Sequence, residues 1–530
     1  MDHTTESFSL EETKILNKFF TNTDRPVFVL INLPEVVKGA LFARYSRSSK
    51  SLRRLFLDEF YTSEFDSVEV QAEAGKKRAQ DLYDKVFLEY GDDSVAQLGG
   101  AHLACEQVSN ILAKFIEKGR LAAYLEQSTR YVFYNQKVNG KYKFTVPEEI
   151  RNSPFNDDYE SYVSSLFEAY TTIVDRMITI FQKQYPLENG TNKRAWENTL
   201  NAKACDVARG LLPAATKTNL GMYANGQTYE YLLIKMLASE LSEVRLYAGM
   251  ILEELRKVIP SFLVRVDRPD RGQIWSKYLK DISVKMGNIS DDAANVLPSP
   301  GSTPEVALVD WDKDAATKLI ADALYEYSDN SLTDLTAYAS QLSDKDRGEI
   351  IRAYFGDRKN RRHRPGRAAE SIFYTFDICS DYGAFRDLQR HRMLTIQWQK
   401  LSPDLGYVLP SELGEFPELK TLFIDTINKS RPVFEKLMTT AGRDIAQYVV
   451  PFACKMRYTI RMNLREAFHF IELRSQKQGH PSYRNICHQM HNLIREKAGH
   501  GLFAEEMNFV DHNQYEYSRE DAEKKYSGNP

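Results

Sequence analysis

The segment 381–392, DYGAFRDLQRHR, runs from a helical pattern into three basic side chains, Arg390, His391 and Arg392. Neighbouring side chains that carry or can acquire positive charge repel one another, so they need solvent or anions nearby. A phosphate or pyrophosphate group accepts bidentate hydrogen bonds from arginine and would meet that need. On the triplet alone, a solvated stretch near a helix C-terminus is the favoured interpretation, since the helix macrodipole stabilises basic residues there.

A second basic cluster, RKNRRHR at residues 358–364, precedes the triplet and ends at Pro365 and Gly366. Such a cluster is usually a solvated loop, although it could also receive a polyanionic tail or nucleic acid. Glu370 follows near the start of the next element.

Several landmarks occur twice in the same order. Leu212-Pro213 is followed by eleven residues and then Asn225, and Val450-Pro451 is followed by eleven residues and then Asn463. Upstream of each pair stands a basic triplet or its remnant. These are Lys118-Gly119-Arg120 and Arg390-His391-Arg392. The recurrence indicates a duplicated unit of about 200–250 residues.

A stretch rich in Pro, Gly and Ser, NVLPSPGSTPE at residues 295–305, divides the chain near its middle and is typical of a linker. We predict a first repeat at 25–290, a linker at 291–304, a second repeat at 305–510 and a polar tail at 511–530. Periodicity predicts helices at 73–90, 108–127, 159–184, 227–258, 314–327, 384–397, 432–448, 464–478 and 483–496, and a strand at 305–309.

Composition excludes several classes of protein. The net charge of -3 gives no overall electrostatic reason to bind nucleic acid or an anionic membrane. No apolar run reaches the roughly 20 residues that span a bilayer, and the polar, acidic N-terminus lacks a signal-peptide pattern. The five cysteines form no C-x-x-C pair, so we expect a reducing, cytoplasmic setting without a thiolate metal site. His488 and His491 have helical spacing but no acidic third ligand at a familiar spacing, so we predict no metal.

The triplet resembles part of the signature of flavin-dependent thymidylate synthases, which is R-H-R, seven residues, and then S-x-R-Y. The second half keeps R-H-R but has Lys400 and Ser402 where the serine and the arginine belong. The first half shows the converse, because its triplet is degenerate while an intact S-x-R-Y follows at Ser128, Arg130 and Tyr131. The acidic residue that the family carries two positions before this serine is Glu126.

The downstream motif, N-x-R-x-x-x-[NH]-F-x-x-L-R, is divided in the same way. The second half reads NLREAFHFIELR and supplies Asn463, Arg465, His469 and Arg474. The first half keeps Asn225 but has Gln227 and Met236 in place of the arginines. Conversely, the arginine that the family carries four residues before its Leu-Pro proline is Arg209 in the first half and Gln447 in the second.

The resemblance implies an α+β fold of two tandem units, each with a small, mainly antiparallel sheet and long helices. It implies one composite site, because a tethered pair can keep one wall in each copy. The nucleotide would contact Ser128, Arg130, Tyr131, Arg209, Arg390 and Arg474. FAD would contact Glu126, Glu370, Arg390, His391, Arg392, Asn463, Arg465 and His469. A second site built from Lys118, Gly119, Lys400, Gln447 and Met236 is expected to be inactive.

The implied reaction is reductive methylation of dUMP, with methylenetetrahydrofolate as carbon donor and NADPH as the reductant of the flavin. Ser128 would orient the nucleotide, and Arg474 would favour the ionised N3 of the pyrimidine. Because the family forms its sites within a homotetramer, a homodimer of this chain is expected.

One family loop, G-H-x-[ST]-x-x-E, departs from the pattern in both halves. Residues 91–97 read GDDSVAQ, whereas residues 364–370 read RPGRAAE, with Pro365 where the folate-stacking histidine belongs. The extra arginines could instead fit a polyglutamate tail or another one-carbon donor. Three alternatives therefore stay open: flavin-dependent hydroxymethylation of another uridine nucleotide, a non-catalytic flavin- or nucleotide-binding relative, and an RNA-binding protein that uses residues 358–367.

Overall fold

The computed structural model describes residues 6–24, 28, 30–45, 50–61, 97–187, 192–297, 304–513 and 515. The α-helices there are α1 Leu10–Phe19, α2 Glu35–Tyr45, α3 Leu52–Leu55, α4 Asn110–Ile116, α5 Glu148–Arg151, α6 Asn156–Gln184, α7 Lys193–Ala208, α8 Gly226–Leu237, α9 Ser242–Arg256, α10 Gly272–Ala294, α11 Ala315–Tyr325, α12 Leu332–Gln341, α13 Asp344–Phe355, α14 Tyr382–Leu388, α15 Pro417–Asn428, α16 Ser430–Ala441, α17 Arg443–Ala446, α18 Leu464–Arg474, α19 Pro481–Glu496 and α20 Gly501–Glu506. The strands are β1 Gly100–Ser109, β2 Ala122–Glu126, β3 Lys217–Asn225, β4 Val306–Trp311, β5 Phe373–Asp381, β6 Thr395–Trp398 and β7 Lys455–Asn463.

The chain divides into two compact units that do not coincide with the two repeats. The first comprises Met1–Glu106, Gly119–Glu126 and Asn219–Leu297. The second comprises Gln107–Lys118, Gln127–Thr218 and Pro298–Pro530, so it contains residues of both halves of the sequence. The repeat boundaries remain a prediction from the sequence.

The first unit contains most of a three-stranded sheet in the order β1–β3–β2. β2 pairs with β3 antiparallel, from Ala122 opposite Ala224 to Glu126 opposite Leu220. Helix α8 follows β3 directly, and Asn225 caps it by accepting a hydrogen bond from the Thr228 amide.

The second unit contains an antiparallel sheet in the order β4–β5–β7–β6. Its buried face is aromatic and aliphatic, with Tyr374, Phe376, Tyr458 and Ile460 in the core. Helix α18 follows β7 as α8 follows β3, and Asn463 caps it by accepting from the Glu466 amide. The two asparagines that mark the repeat in the sequence therefore have the same structural role.

The two repeats meet in the second unit along a short, twofold-related seam of main-chain hydrogen bonds. Pro213 and Pro451 form an antiparallel bridge. Around it each bond recurs with the halves exchanged: Ala214 N to Val450 O and Phe452 N to Leu212 O, both 2.9 Å, and Ala215 N to Tyr448 O at 2.9 Å and Ala453 N to Gly210 O at 2.8 Å. Equivalent Leu-Pro and Val-Pro segments thus pair with each other.

The expected α+β class with two small antiparallel sheets and long helices is confirmed. The helices expected at 159–184 and 483–496 are present as α6 and α19, and the strand expected at 305–309 is β4. The helix expected at 227–258 is divided into α8 and α9. The segment 73–90 lies outside the described residues. None of the helices within the described part of the chain has the length and apolar character needed to cross a membrane.

Two helix predictions were wrong, at 108–127 and 384–397. In the first, Ser109 ends β1 and caps α4, which stops at Ile116, and the apolar residues beyond Gly119 form β2. In the second, α14 stops at Leu388, and residues 395–398 form β6 on the edge of the sheet. Pairing with β3 and β7 outweighs the helical preference of these short segments, because sheet stability depends on cross-strand packing that periodicity does not show.

Candidate functional site

Arg130, the arginine of the intact S-x-R-Y, is held by groups from both repeats. Its side chain is nearly buried, and its Nε and Nη2 donate to the carboxylate of Asp206 at 2.8 and 2.9 Å. Its Nη1 donates to Tyr483 Oη at 3.1 Å, and Nη2 also reaches the Gln478 carbonyl at 3.3 Å. Half-buried Ser128 accepts a hydrogen bond from the Arg130 amide at 3.2 Å. Both repeats of one chain therefore fix this arginine.

Arg209 makes the second link between the repeats. It is the C-cap residue of α7 and is 4% exposed. Its Nη1 donates to Asp387 Oδ2 at 3.3 Å. Its Nη2 has no hydrogen-bond partner among the residues that the structure describes. A Cβ at Gly383 would lie 3.2 Å from this nitrogen, so glycine there allows the guanidinium to approach α14. The unsatisfied donor marks a place where a ligand oxygen could bind.

Asp387 is surrounded by the arginines that the sequence assigns to nucleotide binding. Burial raises the pKa of its carboxyl, but Arg209, Arg390, Arg130 and Arg474 outweigh burial and hold the pKa below its usual range. Asp387 is therefore ionised and offsets part of the positive charge of the cluster. Arg390 lies in addition 3.7 Å from the carboxylate of Glu117, which comes from the first repeat.

His391 is a buried, neutral imidazole whose hydrogen-bond partners indicate its tautomer. Arg474 Nε donates to its Nε2 at 2.9 Å, and because arginine is only a donor, the proton of His391 must be on Nδ1. Nδ1 lies 2.9 Å from Glu466 Oε1 and so donates to it. Burial, together with Arg474, His469 and Arg364, holds the pKa of His391 well below its usual range. Burial also raises the pKa of Glu466 to about 7.

His469 lies beside His391, with ring centroids 5.3 Å apart. Burial is the main cause that lowers the pKa of His469 to about 4, and Arg364, Arg361 and Arg474 add to it. Arg364 Nη2 lies 3.4 Å from His469 Nε2. The two imidazoles are thus uncharged planes among guanidinium groups.

Tyr483, on α19, is a residue that motif matching missed. Besides its bond to Arg130, its ring centroid lies 5.8 Å from Arg130 Cζ and 5.7 Å from Arg474 Cζ. One buried ring therefore contacts the key arginine of each repeat. The only signal in the sequence was an aromatic residue at the start of a helix close behind the L-R motif.

The remaining residues expected to bind the flavin or the nucleotide occupy distinct places. Arg465 forms an ion pair with Glu370 at 3.0 Å, rather than with the neighbouring Glu466. It also donates to the Pro365 carbonyl at 2.8 Å. Asn463 uses its carbonyl oxygen as the cap of α18, and Arg392 is exposed. Glu126 and Tyr131 complete the set. Glu126 is the buried last residue of β2 in the first unit, and Tyr131 is exposed in the second.

The chemistry of these groups fits a flavin dinucleotide. Two neutral imidazoles offer flat surfaces, and the guanidinium groups of Arg364 and Arg465 supply positive charge nearby, which suits phosphate groups. Buried Arg209 keeps an unused donor, which fits a second anionic ligand.

Three potential metal ligands also meet here, because donor atoms of His391, Glu466 and His469 lie within 4.8 Å of one another. Both nitrogens of His391 are already engaged by Glu466 and Arg474. The positive charge of Arg364 and Arg474 further disfavours a cation. The histidines at 488 and 491 bond through Nε2 to the carbonyls of Asp511 and Ala504, respectively.

The basic cluster at 358–364 is not uniformly solvated. Arg358 is buried and forms an ion pair with Glu472 of α18 at 2.6 Å, and its Nε donates to the His363 carbonyl at 2.6 Å. The exposed arginines of the loop are therefore carried on a fixed turn. In the first half, the segment that corresponds to the family's G-H-x-[ST]-x-x-E loop is residues 91–97. Only Gln97 of this segment is among the described residues.

Comparison with known proteins places the chain in a family. The model of the family described as thymidylate synthase complementing protein matches it twice, over residues 40–261 and 307–499. The chain belongs to this family. It is 37% identical over 521 residues to a UPF0159 protein of Chlamydia pneumoniae and 32% identical over 514 residues to one of Thermoplasma acidophilum. The alignments cover 97% of both chains in the first case, and 92% of this chain and 97% of the relative in the second.

A more distant match is to a flavin-dependent thymidylate synthase of Clostridium tetani, which is 25% identical over 177 residues. It covers 33% of this chain and 66% of that protein. The match to that protein thus extends over only part of this chain.

Proposed function

We propose that this chain catalyses FAD-dependent reductive methylation of dUMP to dTMP at one composite site, with methylenetetrahydrofolate and NADPH as co-substrates. The proposal is carried by one observation, the contact of Arg130 and Arg209 from the first repeat with Tyr483 and Asp387 from the second. These arginines are the ones that only the first repeat retains. They contact α14 and α19, which are the neighbours in the chain of the two motifs retained only in the second repeat.

In this proposal the first repeat binds the nucleotide through Ser128, Arg130, Tyr131 and Arg209, whose unused Nη2 suits a phosphate oxygen. Arg474 faces the pyrimidine, where a fixed cation favours the ionised N3 and so raises the electron density of the ring. Arg390 also contacts the nucleotide. Because Asp206 and Tyr483 already hold Arg130, little reorganisation accompanies binding.

The second repeat would bind the flavin through its half of the motif residues, together with Glu126 from the first. These second-repeat residues are Glu370, Arg390, His391, Arg392, Asn463, Arg465 and His469. When bound, the flavin supplies hydride chemistry, and the protein supplies orientation and charge. Neutral His391 fixes the direction of Arg474 through its Nε2, and Glu466 fixes His391 in turn.

The test is to add FAD to the purified protein, record its visible spectrum, and then measure tritium release from C5-labelled dUMP with folate and NADPH present. We expect a yellow protein that releases tritium. A protein that stays colourless would exclude both the methylation and any other flavin chemistry. A yellow protein without tritium release would indicate another substrate.

One observation favours a different one-carbon chemistry, such as hydroxymethylation of another uridine nucleotide. Pro365 stands in place of the folate-stacking histidine, and its carbonyl is fixed by Arg465 at 2.8 Å. Mass spectrometry of the nucleotide product separates the two reactions, since hydroxymethylation adds an oxygen atom that methylation does not.

A further inference from the structure

The degenerate counterpart of the composite site contains a cluster of lysines around one indole ring. Lys118 Nζ lies 4.5 Å and Lys114 Nζ 5.6 Å from the ring centroid of Trp398. Lys400, two residues after Trp398, pairs with Asp444 at 2.7 Å. We call Lys114, Lys118 and Lys400, with Trp398 and Asp444, the lysine cluster. All five residues belong to the second unit.

Lys114 is the unusual member, because its side chain is buried in α4 with 6% exposure. Within the described residues no carboxylate lies at ion-pair distance from its ammonium group; the rings of Tyr382 and Trp398 lie 5.4 and 5.6 Å away. Lysine is rarely buried without a partner, since desolvating its charge is costly. Burial, with the charge of Lys118, lowers the pKa of Lys114 to about 7. An anion beside Lys114 would remove this cost.

The lysine cluster suits an anion, because buried Lys114 has no carboxylate at ion-pair distance within the described residues. The carboxylate of Asp444 pairs with Lys400. Lysine binds phosphate as a point charge and needs no bidentate geometry. The cluster lacks an equivalent of His391, because the corresponding position is Gly119, so it retains charge without the flavin-side imidazole.

We propose that the lysine cluster is a second ligand site, which binds the phosphate group of a small molecule. The group would lie against Lys114 and Lys118, at the indole of Trp398. Two sources of this group fit equally, inorganic phosphate and a nucleoside monophosphate. The lysine cluster contains none of the residues proposed to bind the nucleotide or the flavin, and it would act as an effector site.

The decisive variant is Lys114→Met, which keeps the apolar stem and removes the charge. Equilibrium dialysis of the full chain is carried out with labelled inorganic phosphate and, separately, with labelled dUMP. We expect Lys114→Met to weaken binding at the lysine cluster at least tenfold, while Lys345→Met, at an exposed lysine paired with Glu349, leaves it unchanged. If dUMP is the ligand, wild type binds two per chain and Lys114→Met binds one; if only free phosphate binds, the difference appears with phosphate alone. Equal binding of both probes by wild type and Lys114→Met overturns the proposal.

Thermal unfolding gives an independent readout. Removing a buried, unpaired charge does not destabilise the fold, so ligand-free Lys114→Met should melt at or above the wild-type temperature. The bound probe should raise the melting temperature of wild type more than that of Lys114→Met. Should that variant fail to fold, exposed Lys118→Ala serves instead, with a several-fold loss of affinity expected. Unchanged affinity in Lys118→Ala would also contradict the proposal.

Discussion

His391 gains its role from its neighbours rather than from its own charge. The donor Arg474 and the acceptor Glu466 fix its tautomer, and burial among guanidinium groups keeps it neutral. An imidazole of this kind orients other groups and does not itself exchange protons near neutral pH. The triplet therefore contains two different chemistries, cationic at Arg390 and Arg392 and neutral at His391.

His469 should make the protein less stable in mild acid. Its pKa is about 4 when folded and close to 6.5 when unfolded, so below pH 6.5 the unfolded chain binds more protons. The contribution of His469 to stability is therefore complete above pH 6.5 and is lost as the pH falls towards 4. When the pH is lowered from 7 to 5, we expect the melting temperature of His469→Asn to fall less than that of wild type. Parallel melting curves for the two proteins over this range would contradict the assignment.

Motif matching identified the arginines of the site but not the groups that hold them. Asp206 precedes Arg209, and Asp387 precedes Arg390, by three residues, yet a carboxylate at this spacing is common on any helix. Tyr483 contacts Arg130 only because the chain folds back over some 350 residues of sequence. Such partners depend on tertiary contacts, and a single sequence does not contain them.

At the scale of elements, the basic loop at 358–364 is attached to α18 by one buried ion pair. Arg358 and Glu472 have side chains that are 3% and 0% exposed. The sequence predicted a solvated loop, because it could not show that the first of several basic residues turns inward. The pair fixes the turn that carries Arg361 and Arg364 towards His469.

Breaking this pair should therefore cost more than a surface substitution. Arg358→Met leaves Glu472 buried without its partner, and we expect a loss of about 3–5 kcal/mol in the free energy of unfolding. Urea unfolding followed by circular dichroism measures the loss. Arg362→Met, on the exposed part of the same loop, is the control and should change stability by less than about 0.5 kcal/mol. A double variant with Glu472→Leu should recover much of the loss; no recovery would mean that Arg358 acts through its other contacts.

Long, strongly periodic elements were predictable, whereas short ones were not. Helix α6 extends over 29 residues, and the start predicted from its periodicity lies three residues after the observed start. Strand β6 has four residues and was assigned to a helix, since its partner β7 lies some 60 residues later in the chain. The duplicated Leu-Pro and Val-Pro segments were visible as repeats, but not the seam in which they pair.

For the whole molecule, α10 suggests how two chains meet. Its stripe of Ile274, Tyr278, Ile282, Met286 and Ile289 is between 40% and 61% exposed in the single chain. These residues lie within about 120° around the helix. An exposed apolar stripe of this size is typical of an interface, and we expect a second copy of the chain to cover it in the homodimer predicted from the sequence.

Introducing charge into this stripe should separate the dimer. We expect wild type to sediment at about twice the chain mass of 61.1 kDa, and the double variant Ile282→Arg, Met286→Arg to sediment as a monomer. Asp291→Arg, on the opposite side of α10, adds the same charged group and should leave the dimer intact. A dimer that survives the double variant would place the interface elsewhere.

Each repeat retains a different part of the family motifs, and this gives a prediction for the whole molecule. Arg130 and Arg390 each belong to the retained half of their motif, while the degenerate halves have Lys118 in place of Arg390 and Lys400 in place of Ser128. If one composite site carries the reaction, Arg130→Ala and Arg390→Ala should each abolish turnover or flavin binding, because no second copy can compensate. Lys118→Ala and Lys400→Ala should leave turnover in the absence of effectors within about twofold of wild type. Steady-state tritium release and flavin titration of the four variants measure both properties. A loss in Lys400→Ala as severe as that in Arg130→Ala would mean that both sites are catalytic, and the reciprocal loss of motifs would then need another explanation.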